Sequence, residues 1–561
     1  MCGIFGIVSH EENEKIPSAG QIPSAGQIPS AGQIPGQIPS AGQIQESFMR
    51  GQGRGPEETS FTSVTDTISF GFHRLAINGY QNPDSSQPLR FSGCILIMNG
   101  EIYNYKELHE SLGCQNTTGS DCEILIHLYK RYGMKKALQS LRGVFSFLMY
   151  DTHVKSLFFG RDPRGVRPLF MSDITHYLHG SVPLYLSSEL KMIHDLTNTN
   201  TTIHQYPPGT FTELSDTGEC LDVTYHTLTH TTLYSLAEEE LVTDYLQANV
   251  YESIQTRVDT TDRPIACLLS GGLDSSLICA ILSTMNLKKP LHTYSIGMKG
   301  SEDLKCAQRV TEHLKISHNH HLLEVEPCDF INAIPEVIKC IESYDTTTVR
   351  ASVGNFLISK YISETSDAKV IFTGEGADEL MGGYLYFHYA PTSKEFDNEC
   401  RRLLTDIHLF DGLRCDRCIS YHGLEARVPF LDVCLIDHYL MIPPDVRATQ
   451  QPDYPEKYLL RRAFSKTELL PDDILWRRKE AFSDGVSHEV KPWFQMIQEY
   501  AQDRYKKADL DLSLVDAEKK YYKDIFDSEY PTRDTVIPYL WMPRWVDNTD
   551  PSATTLSIYK D

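Results

Sequence analysis

Residues 262–283 read Asp-Arg-Pro-Ile-Ala-Cys-Leu-Leu-Ser-Gly-Gly-Leu-Asp-Ser-Ser-Leu-Ile-Cys-Ala-Ile-Leu-Ser. The apolar run Ile265 to Leu269 has the length of a buried strand. The apolar density from Leu277 onward suits a helix, so Ser270 to Ser276 form the turn between them. A short strand-to-helix turn is a seat for a phosphate chain. Gly271 and Gly272 let the backbone approach oxygen atoms, the helix start offers unpaired N–H groups, and Ser270, Ser275 and Ser276 add hydroxyls. The stretch has no Lys and is therefore not the Gly-x-x-x-x-Gly-Lys-Ser/Thr loop.

Ser-Gly-Gly-Leu-Asp-Ser-Ser instead resembles the pyrophosphate loop of ATP pyrophosphatases, which cut ATP between the α- and β-phosphates and leave an adenylated substrate. The resemblance implies that Asp274 holds Mg²⁺, a hard cation that takes carboxylate and phosphate oxygens.

The chain is 561 residues long, more than one core usually fills, and 41% of it is apolar, so two or more domains are expected. A net charge of −23 excludes the basic footprint that nucleic acid or an anionic membrane requires. The 14 cysteines follow no repeated spacing, no apolar run is long enough to span a bilayer, and the N-terminus lacks the marks of a signal peptide. A cytoplasmic location is expected. The isolated pair Cys415-Asp-Arg-Cys418 is too few ligands for a metal and reads as structural.

Cys2 becomes the terminal residue once Met1 is removed. It then carries a thiol nucleophile and an α-amino group with a pKa of about 7.7–8.0, able to serve as general base. Residues 16–45 repeat Ile-Pro-Ser-Ala-Gly-Gln. Proline in each unit forbids a continuous helix and one Ile per unit builds no core, so a flexible insertion is expected. Only Gln45 to Arg50 reads as a helical remnant after it. The runs Ile68–Phe72, Cys94–Met98, Val144–Tyr150, Leu157–Phe159 and Leu184–Leu186 then predict a β-rich domain, with a helix near Cys122 to Tyr132.

Four pieces of this domain carry more polar groups than strands need: Arg54-Gly-Pro-Glu57, Asn99-Gly-Glu-Ile-Tyr-Asn104, Gly119-Ser-Asp-Cys-Glu123 and Gly160-Arg-Asp-Pro-Arg-Gly-Val-Arg-Pro-Leu169. With Cys2, they resemble the glutaminase domain of N-terminal-nucleophile, class II glutamine amidotransferases, a layered αββα fold. The resemblance implies that Cys2 attacks the glutamine amide and that Asn99 and the Gly100 N–H form the oxyanion hole. It also implies that Arg54 pairs with the substrate carboxylate, and that Glu101 and Asp121 hold its ammonium. Two departures stand out. The family's His-Arg-Gly-Pro-Asp is Gly53-Arg54-Gly55-Pro56-Glu57 here, which puts glutamine binding in question.

The glutaminase domain is expected over residues 1–210 and a linker over 211–235. Val242, Leu246, Val250, Ile254 and Val258 then mark an amphipathic helix. From 236 to 545 the chain alternates strands, at Ile265–Leu269, His292–Ile296, His321–Val325 and Val370–Phe372, with helices. That pattern predicts a doubly wound parallel α/β sheet with its ligand at the carboxyl ends of the strands. Thr373-Gly-Glu-Gly-Ala-Asp-Glu-Leu-Met-Gly-Gly-Tyr384 falls at such an end, with acids beside glycines. Residues 546–561 read as a tail.

Further pieces follow in order: Ile341-Glu-Ser-Tyr-Asp-Thr-Thr-Thr-Val-Arg350, His422-Gly-Leu-Glu-Ala-Arg-Val-Pro-Phe-Leu-Asp432, Glu456-Lys-Tyr-Leu-Leu-Arg461 and Trp476-Arg-Arg-Lys-Glu-Ala-Phe-Ser-Asp-Gly485. Together with the pyrophosphate loop they resemble glutamine-dependent asparagine synthetases, over nearly the whole chain outside residues 11–46. The resemblance implies aspartate, glutamine and ATP as substrates with Mg²⁺, a β-aspartyl-AMP intermediate, and ammonia crossing a tunnel between domains. It assigns Asp274 and Asp378 to metal and phosphates, Lys479 to phosphate charge, and Glu342 to the base that deprotonates ammonia. Leu269, Ser270, Gly271, Gly272, Ser275, Ser276, Gly374 and Glu375 fall to ATP. Two alternatives stand beside it. A β-lactam-synthetase-like enzyme is opposed by Cys2 and Glu342, and an impaired regulatory homologue by the intact loop and Lys479. A homodimer is one option for the oligomeric state, which the sequence leaves open.

Overall fold

The computed structural model describes residues 1–10, 39–180, 182–228, 239–448, 455–479, 486–487 and 491–552. Most of the repeat, residues 229–235 of the expected linker and residues 480–485 of the last quoted motif lie outside these. The chain divides into two compact units, Met1–Thr227 with Tyr530–Pro538, and Leu228–Glu529 with Tyr539–Asp561.

The first unit holds strands β1 (Gly3–Val8), β2 (Glu58–Ser63), β3 (Ile68–Arg74), β4 (Leu89–Phe91), β5 (Cys94–Ile102) and β6 (Gly143–Asp151). It continues with β7 (Ser156–Arg161), β8 (Phe170–Ser172), β9 (Leu184–Ser187), β10 (Ile203–Gln205), β11 (Thr210–Ser215) and β12 (Cys220–Thr224). They form two six-stranded sheets, ordered β10-β8-β9-β1-β3-β2 and β12-β11-β7-β6-β5-β4. Ile4, Phe70 and Phe72 of one sheet pack with Ile95, Ile97, Leu148 and Phe159 of the other. On the far face of β5 and β6, Leu96, Met98, Phe147 and Met149 pack with helical residues Ile124, Leu125 and Leu128. Both faces of β5 are therefore covered, which is why its sequence is a continuous apolar run rather than an alternating one.

Two expectations are corrected here. The end of the repeat is helical: α1 (Ala41–Met49) starts from a capping box in which Ser40 and Gln43 bond reciprocally, and Ile44 and Phe48 are buried. This last copy is followed by Ile44 and then Gln-Glu-Ser-Phe-Met instead of another proline, so the helix propagates. Residues 210–224, expected mostly as linker, are β11 and β12, with Phe211 opposite Gly160 of β7 and Leu214 in the inter-sheet core. After β5, the first unit continues with α2 (Tyr105–Leu112), α3 (Ile124–Tyr132) and α4 (Met134–Ser140). Residues 530–538 also belong to it: Arg533 donates to the carbonyls of His194 at 2.7 Å and Thr201 at 2.8 Å.

The second unit carries a fully parallel sheet of β13 (Ile265–Leu268), β14 (His292–Met298), β15 (His320–Val325), β16 (Val370–Phe372) and β17 (Glu425–Arg427), in the order β15-β14-β13-β16-β17. The chain winds outward from β13 in one direction and then from β16 in the other. The switch point between β13 and β16 is where such a sheet opens a crevice. The expected helix appears as α5 (Glu239–Val258), with Val242, Leu246, Val250 and Ile254 buried. Next come α6 (Leu273–Thr284) after β13, α7 (Pro327–Ile341), α8 (Thr346–Thr365) and the short α9 (Ala377–Met381) after β16. The supposed tail contributes to this unit: Asp550 accepts from Arg350 at 2.8 Å and from Gln498 at 2.7 Å. Cys415 and Cys418 are buried on a helix. Among the described residues no helix is long and apolar enough to cross a membrane.

Candidate functional site

In the first unit, Cys2 precedes β1, and its backbone N–H donates to Oδ1 of Asn99 at 3.0 Å while Sγ lies 3.6 Å from the Leu75 carbonyl. Asn99-Gly100 sits inside β5 and not in a hairpin turn. A Cβ at Gly100 would lie 2.4 Å from the Val144 carbonyl, so only glycine fits against β6. Asn99 is fully buried and its Nδ2 has no hydrogen-bond acceptor. A buried donor without a partner is costly.

Glu101 and Asp121 are buried nearby. Glu101 accepts from Asn78 at 2.5 Å, and Asp121 accepts the Ile102 N–H at 2.6 Å. Burial, and then the charges of Asp121, Glu101 and Cys2, push the adjacent Cys122 thiol far up, so it stays protonated and inert.

Arg54 does not stand where a substrate carboxylate would need it. It is 1% exposed, its Nε donates to the Cys2 carbonyl at 2.9 Å, and its Nη1 pairs with buried Glu189 at 3.1 Å. Its place is to hold the N-terminal strand. Arg74, directly before Leu75 and only partly buried, pairs with exposed Glu58 at 3.2 Å. Glu57, one of the sequence departures, accepts the Ala76 N–H at 2.8 Å and so fixes the backbone beside Leu75. The other departure, Gly53, is exposed in a short 3-10 turn.

In the second unit, a cavity of about 190 Å³ opens at the carboxyl ends of β13 and β16. Leu269, Ser270, Gly272, Asp274, Ser275, Gly374, Glu375, Asp378 and Lys479 all line it. Gly272 starts α6 with no side chain capping its N–H groups, leaving them for a ligand. Ser270 and Ser275 hydroxyls lie 3.0 Å apart. Gly271 and Ser276 lie outside the lining. Gly271 has φ +74, and a Cβ there would strike Cys306 at 2.4 Å, while Ser276 is buried under the helix. Gly374 lets the two arms close, since its Cβ would come within 2.9 Å of Asp274 Cβ.

The electrostatic centre is an ion cluster. Lys457 Nζ lies 2.5 Å from Asp274 Oδ2 and 2.7 Å from Asp378 Oδ1, and Lys479 Nζ lies 2.6 Å from Asp378 Oδ2. Burial raises the Asp378 carboxyl, but Lys457 and Lys479 outweigh it and hold the group well below the usual carboxylate range. Burial likewise lowers the Lys479 ammonium, and Asp378 and Asp274 more than restore it. Asp274 Oδ1 is buried and without a hydrogen-bond donor.

Glu375 is pushed up by burial, with Arg414 at 2.7 Å pulling the other way. Glu379 is pushed up strongly by burial and by Asp411 and Asp378, and the Tyr384 hydroxyl meets it at 2.5 Å. The quoted Arg477-Arg478-Lys479 run lines the cavity but is not helical. The helix before it ends at Leu475, which frees the three cations to face inward.

Glu342 is displaced from its expected role. It caps α7 in a left-handed conformation, φ +58, is 2% exposed, and meets Arg417 at 3.2 Å outside the cavity lining. The sequence pattern assigns no role to Lys457. Its slot exists because Gly383 has no side chain: a Cβ there would lie 2.2 Å from Lys457 Cε. Only the Glu456-Lys457 motif, quoted without a role, signalled it.

The asparagine synthase family profile matches residues 246–399 and 390–535, and the glutamine amidotransferase domain profile matches residues 30–231. The asparagine synthetase [glutamine-hydrolyzing] of Gallus gallus is 40% identical over 546 residues, covering 90% of this chain and 94% of that protein. The Homo sapiens protein of the same description is 39% identical with the same coverage. Among solved structures, a glutamine phosphoribosylpyrophosphate amidotransferase from B. subtilis aligns with a TM-score of 0.31 at 16% identity, over 57% of this chain and 81% of that one. With matches to both profiles and this identity along nearly its whole length, the chain belongs to the family of glutamine-hydrolysing asparagine synthetases.

Proposed function

We propose that this chain makes asparagine from aspartate, with ATP as the activating substrate and glutamine or ammonia as nitrogen donor. The observation that carries the synthetase half is the pairing of Asp274 and Asp378 with Lys457 and Lys479 beside the open start of α6, at the sheet's switch point. The chemistry requires such a cluster. A carboxylate is a poor electrophile until one of its oxygens becomes part of a leaving group, and transfer of AMP from ATP supplies that group.

The residues divide the work as follows. N–H groups at the start of α6, with Ser270 and Ser275, receive the pyrophosphate end of ATP. Lys457, Lys479, Arg477 and Arg478 neutralise the negative charge that builds as the α–β bond breaks. The carboxylate pair with its partnerless Asp274 Oδ1 is a donor set that suits Mg²⁺. Bound there, Mg²⁺ would supply charge neutralisation for the phosphates. Glu375 rather than Glu342 takes the proton from attacking ammonia, because it lines the cavity and burial raises its basicity.

At the first site, removal of Met1 gives Cys2 a free α-amino group as base. Its thiolate attacks the glutamine amide, and the Asn99 Nδ2 donor with the Gly100 N–H meets the developing oxyanion. Glu101 and Asp121 hold the substrate ammonium. Arg74, rather than the buried Arg54, takes the substrate carboxylate.

The test is an assay of the purified chain with aspartate, Mg–ATP and each nitrogen donor in turn. Pyrophosphate and asparagine should form with both, and Cys2→Ala should keep the ammonia reaction only. No pyrophosphate with either donor would refute the reading.

A further inference from the structure

On the helical face of the first unit, α2 ends at Leu112, and Gly113, with φ +63, folds the chain back so that the Cys114 N–H donates to the His109 carbonyl at 3.1 Å. That turn brings Cys114 Sγ to 3.3 Å from His109 Nδ1. His127 of α3 completes the group, its ring 5.3 Å from that of His109 and nearly perpendicular to it. Ligand atoms of the three residues all lie within 4.8 Å of one another. In a tetrahedral zinc site, bonds of about 2.0–2.1 Å to nitrogen and about 2.3 Å to sulfur separate the ligand atoms by roughly 3.3–3.6 Å. The His109–Cys114 pair is already there, and the widest pair needs to close by up to about 1.5 Å, which side-chain rotation supplies.

We infer that His109, Cys114 and His127 bind one thiolate-accepting divalent ion, Zn²⁺ by ligand preference, with water in the fourth position. One further observation points the same way. Glu123, fully buried, accepts from His127 Nε2 at 3.1 Å and from the Thr117 and Thr118 N–H groups at 3.1 and 2.7 Å. A carboxylate anchored in this way fixes a ligating imidazole and leaves its other nitrogen for the ion.

Binding forms one sulfur–metal bond and releases the Cys114 thiol proton to solvent. None of the three ligands is among the residues assigned above to substrate. Cys114 and His127 are partly exposed, so an ion can enter.

The experiment uses the full chain carrying Cys2→Ala, Cys220→Ala and Cys328→Ala, which removes the N-terminal thiol and the two exposed ones. Metal-free protein is titrated with Zn²⁺ against a chromophoric chelator, and with Co²⁺ to read the thiolate-to-cobalt charge-transfer band. One tight equivalent and the band are expected. Cys114→Ser and His127→Gln should each weaken binding on the order of a hundredfold or more and abolish or shift the band, and Glu123→Gln should weaken it about tenfold or more. The metal-free variants should keep the parent's thermal transition, which separates ligand loss from unfolding. Absence of a tight equivalent, or unchanged affinity in Cys114→Ser and His127→Gln, would overturn the inference and leave only a thiol–imidazole hydrogen bond.

Discussion

Lys457 Nζ lies 2.5 Å from Oδ2 of Asp274, a residue 183 positions earlier in the chain. The contact is built and not incidental. Lys457 itself has φ +56, and the next helix anchors it through Arg461, which donates to the Glu456 carbonyl at 2.8 Å and the Leu475 carbonyl at 2.6 Å. A lysine that is 1% exposed and held between two carboxylates is preset for the charge of a departing pyrophosphate. Lys457→Met should lower pyrophosphate release by about 10²–10³-fold with either nitrogen donor. Lys457→Arg should not restore it, because the wider fork does not fit the slot beside Gly383.

The two arginines near Cys2 should separate by what they break. Arg54→Met removes one partner of a buried pair and should cost about 3–5 kcal/mol in chemical denaturation, toward the low end because Lys191 also meets Glu189, at 2.7 Å. Arg74→Met should leave stability nearly unchanged, raise the glutamine KM, and spare the ammonia-dependent rate.

The two glutamates separate in the same manner. Glu375→Gln should lower the ammonia-dependent rate by about 10²-fold or more with the fold intact. Glu342→Gln removes one of two buried counter-charges of Arg417, Asp416 remaining at 3.2 Å, so its effect should appear first as a lower midpoint of thermal unfolding. Equal loss of activity at unchanged stability in both variants would return Glu342 to the reaction.

Acid stability should carry the signature of His73. Burial holds its imidazole down to about 4, against an opposing pull from the Phe48 carbonyl it bonds at 2.9 Å. The folded value lies below the unfolded value of about 6.5. Its stabilising effect is therefore complete above about pH 6.5 and is lost as pH falls toward about 4, at no more than about 1.4 kcal/mol per unit. Denaturation midpoints should drop between about pH 7 and pH 5. His73→Gln should make that drop shallower by about one proton's worth.

The central strand, the phosphate loop and the apolar strands of the first unit were legible because their patterns are local: both faces of β5 and β13 are covered, and a glycine turn announces itself. What escaped was set by distant partners. β17, Glu425-Ala-Arg427, hides two charges in the sheet's edge by pairing them with each other at 2.6 Å, so its sequence does not look like a strand. Ser40 and Gln43 are the same residues as in every full-length repeat copy, and no following proline stops the helix that they cap. Arg54 and Glu342 have the right chemistry for their expected roles. Burial against Glu189 and Arg417 decides otherwise, and burial is not written in a single sequence. Lys457 reads as an ordinary Glu-Lys surface pair until folding places it on Asp274.

The claim beneath these predictions is that aspartate is activated by transfer of AMP. Aspartate labelled with heavy oxygen in its β-carboxylate tests this most directly, with mass spectrometry of the nucleotide after one round of synthesis. The account predicts AMP carrying one labelled oxygen and pyrophosphate carrying none. Unlabelled AMP, or ADP with the label in inorganic phosphate, would contradict it.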